Sequence, residues 1–96
     1  MEYEIRHNPD EYRFEAISNL EIVGVVNYYK ENNIINVTHT GVKTEYEGLG
    51  IAGALTKAIL SYITKNNLKV NPLCSYTKTY IDRHPEYNNL LHEGYE

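Results

Sequence analysis

The spacing of apolar residues changes once along this 96-residue chain, between Val42 and Gly50. Before the change, apolar positions recur every second residue, the period of a half-buried strand. Tyr3 and Ile5 alternate with Glu4 and Arg6, and Asn8-Pro9-Asp10 marks a turn. Tyr12, Phe14 and Ala16 alternate with Arg13, Glu15 and Ile17, which predicts a second strand ending in a tight turn at Ser18-Asn19. Leu20 to Tyr29 is rich in β-branched and aromatic residues and predicts a third strand. The polar stretch Lys30-Glu31-Asn32-Asn33 separates it from a fourth, Ile34 to Val42. Connections this short predict an antiparallel meander.

After the change the period is helical. Ile51, Leu55, Ala58, Ile59, Tyr62 and Ile63 fall on one apolar face, with Thr56, Lys57, Ser61, Thr64 and Lys65 on the other side. The predicted helix runs from Gly50 to Lys65 and stops at Asn66-Asn67. Leu68, Val70 and Leu73 predict a fifth strand. A strand–helix–strand crossover of this length favours parallel pairing of strands four and five. Ser75 to Arg83 reads as a second helix with Ser75 as its N-cap. Pro85 disfavours helical geometry at His84, and Pro85 to Glu93 reads as a short last helix. The predicted order is β-β-β-β-α-β-α-α. It describes one α/β domain over residues 1–96 with a mixed (α+β) sheet, its site lying where strands four and five face the glycine turn.

Composition narrows the classes. Apolar residues make up 42% and charged residues 23%, normal for a globular domain. Ten tyrosines stand against one Phe and no Trp, so Tyr rings are expected to form the outer shell of a small core. The net charge of −4 argues against nonspecific nucleic-acid binding, which needs a basic face. No segment is apolar for ~18 residues, and Met1-Glu2-Tyr3-Glu4 is not an apolar signal region, so a cytoplasmic location without membrane contact is expected. One cysteine excludes an internal disulfide, and the four His are too scattered to predict a metal site. Oligomeric state is left open; a monomer is compatible with everything above.

Glu47-Gly48-Leu49-Gly50-Ile51-Ala52-Gly53 joins the fourth strand to the first helix. Glycines allow positive φ and close backbone approach. The first N–H groups of a helix have no internal partner and lie at the positive end of its dipole, so an anion is the natural ligand of such a turn. The same glycines also fit a plain close contact between strand and helix. No Lys-Ser/Thr pair follows them, as a Walker loop requires. A dinucleotide fingerprint would follow the first strand, whereas four strands precede this turn.

Three further side chains could carry chemistry. Cys74 stands where strand five meets the next helix, where the dipole favours a thiolate; it also fits as a small buried hydrophobe. His39, in Thr38-His39-Thr40, shares a face with Ile35 and Val37 under strict alternation. It reads as a hydrogen-bonded structural residue or as a general base near Cys74. Tyr80, two turns into that helix, either packs or protonates a leaving thiolate. His84 reads as a helix cap or surface group.

With these residues in view, the chain resembles the GNAT-type (acetyl-CoA-binding) N-acetyltransferase superfamily, and within it a family of minimal, roughly hundred-residue proteins. The resemblance runs from about Ile34 to Leu91. It rests on Thr38-His39-Thr40-Gly41-Val42, Gly48-Leu49-Gly50-Ile51-Ala52, and Pro72-Leu73-Cys74-Ser75-Tyr76 with Tyr80-Ile81 and His84-Pro85-Glu86-Tyr87. Glu47 departs from the superfamily's pyrophosphate motif, where Arg or Gln is usual; Lys43, Lys57 and Lys78 are the cations available to compensate. The resemblance implies acetyl-CoA as the ligand, its pyrophosphate on the amides of Leu49, Gly50, Ile51, Ala52 and Gly53 beside Gly48. It implies a pantetheine arm along Gly41 and Val42, and an acetyl group passed to an unknown amine. The amine attacks directly with His39 or a water as base, or Cys74, activated by His39, first takes the acetyl group. The early helices that bind acceptors in larger members are missing. A non-catalytic CoA-binding regulatory module and a purely structural interaction domain are the competing readings.

Overall fold

The computed structural model describes residues 2–94. Five strands form one sheet in chain order: β1 (Glu4–Asn8), β2 (Arg13–Ser18), β3 (Glu21–Glu31), β4 (Ile34–Val42) and β5 (Lys69–Pro72). β1 to β4 pair antiparallel, and β5 pairs parallel to β4 from Ile34↔Lys69 to Val37↔Pro72. Two helices follow the meander, α1 (Ile51–Lys65) between β4 and β5, and α2 (Ser75–Arg83) after β5. The sheet is mixed, as the alternation and the crossover length predict.

Local chemistry sets the hairpins. The β2–β3 turn is Asn19-Leu20, with φ of 51° and 63°, and the β3–β4 turn is Asn32-Asn33, with φ of 52° and 67°. Two-residue hairpins need positive φ at both central positions to match strand twist, and Asn tolerates that conformation. The first turn therefore lies one residue later than Ser18-Asn19, and Lys30 and Glu31 belong to β3.

α1 lies across one face of the sheet. Ile51, Leu55, Ile59, Leu60 and Ile63 are fully buried against Val26, Ile35, Val37 and Val70. Burying each such side chain contributes about 1.5–3 kcal/mol. Gly24 permits this approach: a Cβ there would sit 3.0 Å from Ile51 Cγ2 and 3.3 Å from Leu55 Cδ1. Tyr28 is buried, and Tyr3, Tyr46, Tyr62, Tyr80 and Tyr87 pack around the core as the tyrosine count predicts.

Two bulges break the alternation. β3 carries an extra residue, Val23, where Ala16 pairs with Gly24 but Ile17 pairs with Ile22. β4 carries one too, Thr38, where Asn27 pairs with His39 but Tyr28 pairs with Val37. An extra residue exchanges the faces of everything beyond it. Ile35 and Val37 face α1, and so do Thr40 and Val42 past the bulge. His39 and Gly41 lie on the outer face.

Other expectations are corrected by partners that a pattern of apolar positions does not reveal. Glu15 is fully buried on the outer face, held by Arg6 at 2.8 Å, Arg13 at 2.7 Å and Asn8 at 3.0 Å. Thr56 is fully buried although it falls among the polar positions, because its hydroxyl donates to Ala52 O at 2.8 Å. Leu73 is exposed beyond β5. The last segment is a 3-10 helix, Pro85–Leu90, after which Leu91 makes a parallel bridge with Val70.

Candidate functional site

β4 and β5 separate halfway along. Their last ladder pair is Val37↔Pro72, and the Cys74 N–H donates to Val37 O at 2.9 Å as the final link. Beyond it, Thr40 to Val42 have β3 on one side and a gap on the other. The Lys43 N–H bonds Val23 O at 2.9 Å, so the alternation of an antiparallel ladder turns Gly41 toward β3 as well. The amides of Thr40 and Val42 therefore point into the gap. Gly41 and Val42 both wall the gap, and Thr40 joins them: Val42 and Thr40 present N–H groups to it.

The Glu47–Gly53 turn closes the gap. Gly48 and Gly50 have φ of +82° and +81°, with open space where a Cβ would stand. Glycine is required here by the backbone, since other residues pay roughly 1–2 kcal/mol for this conformation. Gly50 caps α1 with no side-chain hydrogen bond. The Ala54 N–H bonds Gly50 O, which leaves the N–H groups of Ile51, Ala52 and Gly53 without a capping side chain. With the helix dipole behind them, these donors form an anion seat.

The resulting cleft has a volume of about 340 Å³ and is walled by Thr40–Val42, Tyr46, the turn from Glu47 to Gly53 except Leu49, and Tyr76 of α2. Leu49 turns its side chain to solvent. Glu47 is a wall residue, and among the described residues no Lys or Arg lines the cleft. Lys43 pairs with Glu21 and Lys78 with Asp82, while Lys57 is exposed on α1 away from the lining. Negative charge here would be met by amides and the Tyr76 hydroxyl rather than by a cation. The uncapped N–H groups and the unpaired β4 edge fit a phosphate-bearing ligand with an extended arm.

Cys74 is the N-cap of α2 and is partly buried. Its Sγ lies 3.5 Å from Thr40 Oγ1, and Thr40 is a cleft wall. Burial pushes the thiol up, but the Thr40 hydroxyl and the N–H groups of Thr77 and Tyr76, with the Thr77 hydroxyl nearby, outweigh it, so its pKa is lowered. The pairing of His39 with Cys74 does not form. Thr40, which touches Cys74, faces α1, whereas exposed His39 lies over Gly41 on the outer face, its Nε2 2.8 Å from where a Gly41 Cβ would be. The bulge at Thr38 is the reason.

Tyr80 does not line the cleft. Its ring stacks on His84, centroids 4.1 Å apart, and the two share a small pocket with Arg83. Burial, followed by the neighbouring Tyr87, Tyr76 and Glu86, raises its pKa, so it keeps its proton. The His84 Nδ1–H donates to Tyr80 O at 2.7 Å, a cap of the α2 C-terminus. Tyr76, Tyr46 and Thr40 are cleft residues the sequence reading missed. Tyr76 has a helical signal, since it stands one turn before Tyr80. Thr40 is concealed by the bulge. Among the described residues no cluster of three or more His, Cys, Asp or Glu could hold a metal, and no helix is long and apolar enough to cross a membrane.

Residues 12–90 match the model of the GCN5-related N-acetyltransferase family. The chain belongs to that family. A GCN5-like protein of Staphylococcus aureus, solved in solution by NMR, superposes with a TM-score of 0.71 at 30% identity, over 93% of this chain and 87% of that one. A GNAT-family acetyltransferase of Elizabethkingia anophelis, solved with acetyl-CoA bound, has a TM-score of 0.58 at 20% identity, over 80% of this chain and 57% of that one. Among curated proteins, Protein NATD1 of Gallus gallus is 34% identical over 64 residues, covering 67% of this chain and 58% of that protein. The human Protein NATD1 is 35% identical over 57 residues, covering 59% and 50%. The chain thus spans little more than half the length of these curated relatives. The five-strand sheet with β4 and β5 parallel is the fold of this acetyltransferase family.

Proposed function

We propose that this protein is a cytoplasmic acyltransferase that moves the acetyl group of acetyl-CoA to an amine. The observation that carries the reading is a convergence: the uncapped N–H groups of Ile51, Ala52 and Gly53 and the unpaired N–H groups of β4 open into one cleft. The first set suits a pyrophosphate and the second an extended pantetheine arm, paired as an added strand would be. The Elizabethkingia relative, solved with acetyl-CoA, supports this ligand class.

The thioester supplies an electrophilic carbon. The Val42 or Thr40 N–H would hold the oxygen on which charge develops. Direct attack by the amine is the favoured route, because His39 lies on the outer face and is free to take the ammonium proton there. The leaving thiolate recovers a proton from water; Tyr80 is outside the cleft, and the Tyr76 hydroxyl stands by Gly53, where it would face the pyrophosphate instead. A second route, through acetylated Cys74, is favoured by the lowered thiol pKa and by Thr40 beside the sulfur. His39 does not serve as its base in this arrangement.

Calorimetric titration with acetyl-CoA, together with a transfer assay on a panel of amines, tests the proposal. Saturable binding with turnover lost in His39→Ala supports direct attack, and loss in Cys74→Ser alone supports the relay. Binding without turnover on any amine assigns a CoA-binding regulatory module, to which Glu47 in the cleft wall would be suited. No binding at millimolar ligand overturns the proposal.

A further inference from the structure

The start of α2 holds a hydroxyl that the acyl-transfer reading does not use. Thr77 is fully buried, and its Oγ1 has no hydrogen-bond partner. It stands three residues after Cys74, in the first turn of α2, and faces the Cys74 sulfur. A buried donor without a partner is costly and needs explanation. A neutral thiol is a weak acceptor, whereas a thiolate is a strong one. The hydroxyl of Thr40, 3.5 Å away, and the N–H groups of Tyr76 and Thr77 complete a set of donors around one sulfur. This surrounding suits Cys74 as an anion, available for nucleophilic attack.

Cys74 also stands where β4 and β5 part: its N–H makes the last link to β4, and its sulfur touches Thr40, a wall of the cleft. An arm seated at the α1 N-terminus and extended along Val42 and Thr40 runs toward that point. Thr40 and Tyr76, both walls of the cleft, flank the sulfur in space and in sequence.

We propose that Cys74 is a site of thiol–disulfide exchange with CoA disulfide, which leaves one CoA joined to Cys74 and closes the cleft to acetyl-CoA. The inference rests on the proposed CoA-binding reading. Cys74 gives up its proton, and the thiolate attacks one sulfur of the symmetrical disulfide. The new Cys74–CoA bond forms as the old S–S bond breaks, and the second CoA leaves as a thiolate that takes up a proton from water. Cys74 is oxidised and one CoA is reduced, so no other oxidant is needed. The anion seat on α1 favours this disulfide over glutathione disulfide, which carries no phosphate. The modification would reversibly switch the protein off when CoA disulfide accumulates.

The test is intact-mass spectrometry of the protein incubated with CoA disulfide or with glutathione disulfide, beside calorimetry of CoA on Cys74→Ser. The expected result is one added CoA, removed by dithiothreitol, absent in Cys74→Ser and slow to form with glutathione disulfide. The adduct no longer binds acetyl-CoA. Thr77→Val, which keeps the shape and removes the hydroxyl, slows adduct formation at neutral pH by roughly tenfold and moves its pH–rate profile upward. Its unfolding midpoint does not fall, because the lost hydroxyl had no partner. CoA binding to Cys74→Ser with no adduct on the unmodified protein overturns the inference and leaves the acyltransferase reading standing. No CoA binding at all removes both. Equal rates with the two disulfides, or a Thr77→Val rate unchanged, also overturns it.

Discussion

β4 is one strand with two unlike halves. From Ile34 to Val37 both edges are paired, and Ile35 and Val37 are fully buried. From His39 to Val42 one edge is paired to β3, the other is open, and the side chains are half-buried or exposed. The first half has nothing left to offer a ligand and contributes stability. The second half has unpaired N–H groups, a glycine wall and a hydroxyl against a thiol, and contributes little to stability. The bulge at Thr38 marks the boundary between them. The proposed acetyl-CoA site thus lies where the sheet stops being a sheet.

The comparison breaks most visibly if the two halves respond alike to substitution. Ile35→Ala should cost about 2–5 kcal/mol, read from the urea midpoint, since it empties a closed part of the core. A cost under about 1 kcal/mol would show that the first half is not the stable one.

Acid should act on the fold through the outer face rather than through the cleft. Burial raises the Glu15 carboxyl, but hydrogen bonds from Arg6, Arg13 and Asn8 and the Arg13 charge outweigh it and lower it from 4.5 to about 2. A depressed carboxylate contributes stability that is fully present above its unfolded value and is lost as pH falls toward its folded one. About 2–3 kcal/mol should disappear between roughly pH 5 and pH 2, and Glu15→Gln should flatten that slope. Thermal unfolding across the range checks it, and an unchanged slope in the variant would remove Glu15 from the account.

Gly50→Ala probes the open half's neighbour. Positive φ should cost roughly 1–2 kcal/mol, and realigned N–H groups should weaken acetyl-CoA binding by about tenfold or more. Loss of stability without loss of affinity would separate the turn from the ligand. The smallest effect on stability belongs to Thr40→Val, expected within about 0.5 kcal/mol. It should still move the pH profile of Cys74 alkylation upward, because a donor to the thiolate is gone. A profile that stays in place would show that Thr40 does not influence the sulfur.

Much of this contrast was legible in the chain. The period change located α1, the β-branched run of Ile34 to Val42 defined β4, Ser75 to Arg83 defined α2, and the crossover length predicted parallel β4 and β5. The glycine turn and the junction at Cys74 were also readable, because each depends on local chemistry. The bulge at Thr38 was not, since register is a property of two strands and neither carries its signature alone. It reversed the face of His39 and concealed Thr40. Glu15 and Thr56 were misplaced for a related reason: each is buried by a polar partner, and apolar periodicity does not record partners. Tyr76 was overlooked beside Tyr80 because both follow the same helical spacing, and only the separation of β4 from β5 selects between them.

The most direct test of the division is an amide titration by NMR. The ¹⁵N-labelled protein is titrated with acetyl-CoA, and each backbone N–H is followed. Saturable shifts at Ile51, Ala52, Gly53, Val42 and Thr40, with Ile35 and Val37 unmoved, are the predicted result. Saturable binding that leaves Ile51 to Gly53 in place, or that moves the closed half of β4 equally, would contradict it.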